Sequence, residues 1–110
     1  MAWAPDEEAA VRAAHETSRW SILGWKVMSE LPNPVNFEAV TAGVTPGQVR
    51  EQFACGPDLE RHLAIARRFA DAGFDHLVAM NAGSDPDGFM DFFASELATP
   101  LRALTPATRH

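Results

Sequence analysis

The chain has 110 residues, room for one domain and no more. Hydrophobic residues make up 46% and charged residues 22%, with three Trp and seven Phe, a composition that builds a core rather than a disordered coil. A formal charge of −6 argues against nucleic acid or an anionic membrane as partner, and a single Cys excludes an internal disulfide framework and a Cys-based zinc cluster.

No apolar run approaches the ~20 residues of a membrane span. The opening residues Met1 to Glu8 lack the basic start and apolar middle of a signal peptide, so the expected location is the cytoplasm. The first predicted helix covers residues 6–22. Pro5 suits a first helical position, and Asp6, Glu7 and Glu8 suit the positive end of the helix dipole. Val11, Ala14, His15, Ser18 and Ile22 form a narrow stripe on it. Residues 23–52 read as a linker with short helices, punctuated by Gly24, Pro32, Asn33 and Pro34. Within it, Thr45 is a candidate N-cap and Pro46 a first helical residue.

Phe53–Cys55 is a short apolar run, either a buried strand or loop. Gly56-Pro57-Asp58 opens the clearest helix, with Pro57 in its first turn. Leu59, Leu63, Ala66 and Ala70 form one stripe along it. Gly73 sits where that helix ends in left-handed geometry. His76–Met80 is apolar at consecutive positions, the pattern of a strand covered on both faces in a parallel sheet. Asn81 to Asp87 is a turn-rich loop. A last helix is expected from about Pro86 to Leu104, kinked or divided by Pro100. Residues 53–104 thus read as β/α units, and 105–110 as a frayed tail.

One or two buried strands cannot complete a sheet. Each would leave unpaired N–H and C=O groups. The chain is then either a segment of a larger barrel or sheet protein, or a small chain that completes its sheet by oligomerising.

Four stretches occur together in order: Glu30-Leu-Pro-Asn-Pro-Val-Asn-Phe37, Gln52-Phe-Ala-Cys-Gly-Pro-Asp58, Arg68 to Val78, and the Phe89–Leu104 helix. Their combination resembles the C-terminal part of luciferase-like oxidoreductases that use coenzyme F-420 (F420), in the group containing the glucose-6-phosphate dehydrogenases. The resemblance implies an α/β fold: the C-terminal segment of a (β/α)8 TIM barrel, mostly helical, with one or two parallel strands. A full barrel takes ~250 residues, so the resemblance also implies that most of it lies elsewhere. It implies hydride transfer between the deazaflavin and a small-molecule substrate, with F420 bound mostly by the absent part and the isolated chain inactive. FMN, as in flavin monooxygenases of the same superfamily, is the alternative cofactor. The alternative from another class is a non-catalytic small α/β protein, a homo-oligomer or a docking module that uses its strand edges.

The resemblance places two substrate-phosphate positions at Met28 and Gln52. Neither makes a charge-assisted bond to phosphate; Lys26 and Arg50 lie two residues away. Trp20, Trp25 and Lys26 are further pocket candidates, an apolar wall with a cation; the plain reading has both Trp covering the outside of the barrel. The Asn81–Asp87 loop would lie on the active-site rim. No catalytic residue is assigned. Cys55 reads as a small buried residue rather than a nucleophile, because no His pairs with it at a recognisable spacing. His15, His62, His76 and His110 have no metal-ligand spacing.

Overall fold

The computed structural model describes residues 1–108; Arg109 and His110, the end of the expected tail, lie outside the described residues. Among the described residues seven α-helices run in order: α1 Glu7–Ser18, α2 Trp25–Glu30, α3 Pro34–Thr41, α4 Pro46–Gln52, α5 Leu59–Asp71, α6 Pro86–Phe92 and α7 Ala98–Arg102. A 3-10 turn at Arg19–Ile22 continues α1, and a π-turn at Phe93–Leu97 joins α6 to α7.

The helix starts follow local chemistry. Asp6 accepts from the Ala9 N–H and is the N-cap of α1, so Pro5 lies one residue before the cap rather than inside the helix. Thr45 and Gln48 form a reciprocal capping box on α4, with Pro46 in its first turn. Asp58 caps α5, which places Pro57 outside that helix too. At the other end of α5, Gly73 takes φ +96°. Its N–H reaches the Ala70 carbonyl, and the Phe74 N–H reaches the Phe69 carbonyl. The Phe69 and Phe74 rings meet edge to face at 5.8 Å, completing a Schellman cap with its apolar contact.

Pro100 lies inside α7, so the last helix is not divided at it. It cannot donate to the Glu96 carbonyl, and its ring crowds that carbonyl. The π-turn at Phe93–Leu97 widens the helix immediately upstream of it. Thr105 to Thr108 have no regular structure, but the Ala107 N–H donates to the Ala70 carbonyl at 2.8 Å and docks this segment on α5.

The expected parallel strands do not form. Among the described residues the sheet is reduced to one parallel bridge, Ala2 with Cys55. Phe53–Cys55 supplies one side of it, and His76–Met80 is irregular, with no backbone pairing among the described residues. The reason is the one that makes sheets cooperative: a strand is held by a neighbour's N–H and C=O groups, and no neighbour reaches His76–Met80.

Met1–Ala4 has the alternation of a strand. Ala2 and Ala4 pack with Ala10, Val11, Ala14, Val49 and Cys55. Met1 and Trp3 pack against Leu63, Phe92 and Leu97 on the opposite side. Two small cores therefore share this segment as their wall. Its rarity of large buried side chains leaves the molecule thin, with extents of 40 × 40 × 20 Å. The radius of gyration of 15.0 Å exceeds the ~13 Å of a compact chain of this length.

Candidate functional site

The polar chemistry of the molecule gathers around the Met1–Ala4 segment. The Ala2 N–H donates to the Ala54 carbonyl at 2.8 Å, and the Gly56 N–H donates to the Ala2 carbonyl at 2.9 Å. On the same segment, the Ala82 N–H donates to the Met1 carbonyl at 2.7 Å. The Asn81 side-chain oxygen accepts from the backbone N–H of Gly83 at 2.9 Å and of Trp3 at 3.4 Å. The start of the Asn81–Asp87 loop is thus anchored to the strand-like segment beside Cys55, which the sequence predicted only as a rim. Thr17 reinforces it by donating to the Ala82 carbonyl at 3.2 Å.

Gly56 makes this crossing possible. Its φ is +100°, and a Cβ there would lie 3.2 Å from the Glu7 backbone. The same residue receives His62: the Nε2–H donates to the Gly56 carbonyl at 2.8 Å. His62 is fully buried, its ring centroid 5.0 Å from that of Phe92, and Phe92 stacks on Trp3 at 6.0 Å. Burial pushes the His62 imidazole below its ordinary pKa, with the Gly56 bond opposing. Neutral His62 therefore ties α5 to the turn at Gly56, a structural use of its ring.

Cys55 is fully buried beside this crossing. Burial pushes its thiol up, against the smaller pull of the amino terminus, Arg61 and Arg50. A raised thiol is the reverse of a nucleophile's tuning. Among the described residues, no three His, Cys, Asp or Glu side chains come together as a metal-binding group. His76 pairs through Nδ1 with Asp75 at 2.8 Å on the open surface, and that bond holds the Asp75 carboxyl below its usual range.

The sequence-predicted pocket residues lie apart from this centre. Trp20 falls in the 3-10 turn, half exposed; Trp25 opens α2 with 77% of its surface in solvent. Lys26 and Gln52 are exposed and Met28 is half-buried. Neither α2 nor the 3-10 turn buries any residue. Arg50 is engaged with Glu7 at 3.4 Å, and its carbonyl accepts from Arg61. What sequence reading missed is Met1–Ala4. Its signal was four consecutive apolar residues before a proline, too short to score as a strand.

Two open grooves, of about 750 and 530 Å3, lie on the far side of α5 and share Leu77, Val78, Ala79 and Phe93. Their walls are apolar, with Arg102, Asp75 and His76 the charged or titratable side chains in them. Among the described residues, no helix is long and apolar enough to cross a membrane.

Comparison with known proteins supplies what this geometry does not. No family model and no solved structure matches the chain. Curated sequences do, and the class they define is the F420-dependent oxidoreductases. More narrowly, the chain is related to the F420-dependent glucose-6-phosphate dehydrogenases. It is 31% identical over 95 residues to that of Rhodococcus hoagii, across 84% of this chain and 28% of the relative. To the second such enzyme of Rhodococcus jostii it is 30% identical over 101 residues, across 90% and 29%. To that of Tsukamurella paurometabola it is 29% identical over 108 residues, across 94% and 31%. The chain spans under a third of the length of the curated relatives it matches.

Proposed function

We propose that this chain corresponds to the C-terminal part of an F420-dependent oxidoreductase built on a (β/α)8 barrel. The full-length form would transfer hydride between deazaflavin and a small organic substrate. The observation that carries the reading is the pattern of coverage: more than four-fifths of this chain matches less than a third of each relative named above. The parallel bridge between Ala2 and Cys55, each followed by a helix, is what a piece of β/α architecture leaves when its other strands are absent. F420 in the relatives' names favours deazaflavin over FMN.

The residues described here do not fit F420 by themselves. The two grooves are open, and neither combines enclosing walls with convergent polar groups. No catalytic step is therefore assigned to this chain, and the reading puts the cofactor on the remainder of the barrel. Trp20, Trp25, Lys26, Met28 and Gln52 remain the candidates for bordering the substrate. Met28 and Gln52 in place of cations weigh against glucose 6-phosphate as the substrate.

A chimera tests this. In it, this chain replaces the matched stretch of the Rhodococcus hoagii enzyme. The expected result is a folded protein that binds F420 and has a raised KM for glucose 6-phosphate. Met28→Lys combined with Gln52→Arg should lower that KM again. A chimera that fails to fold, beside a control swap from the Rhodococcus jostii relative that succeeds, would overturn the reading.

A further inference from the structure

We propose that this chain is built for two segment orders, with Asn81 as the latch on the order of the free chain. Residues 1–4 lie in the middle of a three-segment arrangement. The Ala2 N–H and C=O both turn to one edge, where they meet the Ala54 carbonyl and the Gly56 N–H in a parallel bridge. The groups on either side of Ala2 turn to the other edge. There the Met1 carbonyl accepts from the Ala82 N–H at 2.7 Å, and the Trp3 N–H donates to the Asn81 side-chain oxygen at 3.4 Å. Bonds that alternate between two edges belong to a central segment of a parallel sheet. Asn81 supplies from its side chain the acceptor that a backbone carbonyl would offer, because Thr17 donates to the Ala82 carbonyl. Gly83 then passes beside Trp3; a Cβ on it would lie 2.6 Å from the Trp3 carbonyl. Residues 82–83 therefore run along residues 1–3 in the same direction.

The order across the free chain is thus 53–56, 1–4, 81–83. A barrel takes its strands in chain order, each beside the next, which would put 53–56 in the middle. The helices agree with the free order. Right-handed crossovers that step across a sheet in opposite directions lie on opposite faces. α1 leads from 1–4 to 53–56 and packs on the face of Ala2 and Ala4. α5 leads from 53–56 back past 1–4, and it packs with α6 on the face of Met1 and Trp3. In a barrel every crossover steps the same way, and all helices share the outer face. Helices on both faces and a first segment in the middle are the marks of a doubly wound unit. Trp3 reinforces it, since its ring lies where a Cβ on Gly88 would fall. Removing strands from a barrel bares edges but does not move 81–83 onto the far edge of 1–4. To take its place in a barrel, the chain must release Asn81 from Trp3 and carry α5 to the other face. That second order rests on the barrel reading; the first rests on bonds within the chain.

Nuclear Overhauser spectra of the isotope-labelled full chain test the free order. Backbone cross-peaks are expected between residues 1–3 and both 54–56 and 82–83, and none between 53–56 and 76–83. Asn81→Leu removes the acceptor and should speed hydrogen exchange of the Trp3 amide about tenfold while the Gly56 amide keeps its protection. Asn81→Asp keeps an acceptor there and should restore the Trp3 amide. The wild-type cross-peaks decide the free order whether or not the Leu variant folds. In the Rhodococcus hoagii chimera, Asn81→Leu should leave Trp3 exchange unchanged, because another strand then holds that edge. Cross-peaks between 53–56 and 76–80 in the free chain, Trp3 exchange unmoved by Asn81→Leu there, or equal acceleration in the chimera overturns the proposal. None of these results touches the F420 reading. A chimera that fails to fold overturns that reading, and the second order with it, while the cross-peaks still decide the first.

Discussion

Two short apolar segments of this chain, Met1–Ala4 and His76–Met80, start from similar composition and meet opposite fates. Met1–Ala4 lies against Cys55, exchanges hydrogen bonds with Ala54 and Gly56, and has a core cluster on each face. His76–Met80 is richer in large side chains but makes no backbone hydrogen bond among the described residues and leaves Val78 and Met80 mostly in solvent. Apolar sequence supplies the demand for burial. Whether the demand is met depends on which neighbours the rest of the chain brings.

The contrast can be broken most sharply at the buried side. Leu97 is fully buried in the cluster that Met1 and Trp3 face. Leu97→Ala should cost about 3 kcal/mol in urea denaturation, enough to threaten folding altogether. Gly56→Ala should cost about 2 kcal/mol by the same measurement, since an alanine must adopt φ +100° against the Glu7 backbone. Thr45→Ala, which removes half of the capping box on α4, should cost about 1 kcal/mol.

A further effect depends on pH. The folded-state pKa of His62 is depressed, so the unfolded chain binds its proton first as pH falls. Its contribution to stability is complete above the ordinary histidine value of about 6.5 and declines as pH drops through that value toward the depressed one. The stability difference between wild type and His62→Gln should accordingly shrink between pH 7.5 and pH 5. A constant difference would mean that folding does not shift the His62 pKa. The smallest effect belongs to the bare segment: Val78→Ala should change the stability of the single chain by under about 0.5 kcal/mol. A larger loss would show that the segment is covered after all.

The helices were legible because their signals are local. Thr45-Pro46-Gly47-Gln48 contains its whole capping box, and Gly73 marks the end of α5 without reference to anything distant. The one-residue misplacements of Pro5 and Pro57 come from Asp6 and Asp58, whose side chains took the cap positions that follow those prolines. The strands were illegible in the opposite sense. The run His76–Met80 carries the pattern of a doubly covered strand, but pairing is a property of two segments. Met1–Ala4 was overlooked because its alternation of small and large side chains spans only four residues. The buried pairing of His62 with Gly56 crosses six residues and a helix start, beyond what spacing reveals.

The alternation in Met1–Ala4 has a mechanical consequence. Odd residues belong to one cluster and even residues to the other, on a single backbone fixed at Ala2. Sliding that backbone by one position would push Trp3 into a cluster lined by alanines and withdraw it from Phe92 at the same moment. The segment acts as a keel: neither half of the molecule can loosen its grip on it without tilting the other. Amide exchange should accordingly report a shared opening energy for α1 and α5, elements far apart in the chain and on different clusters.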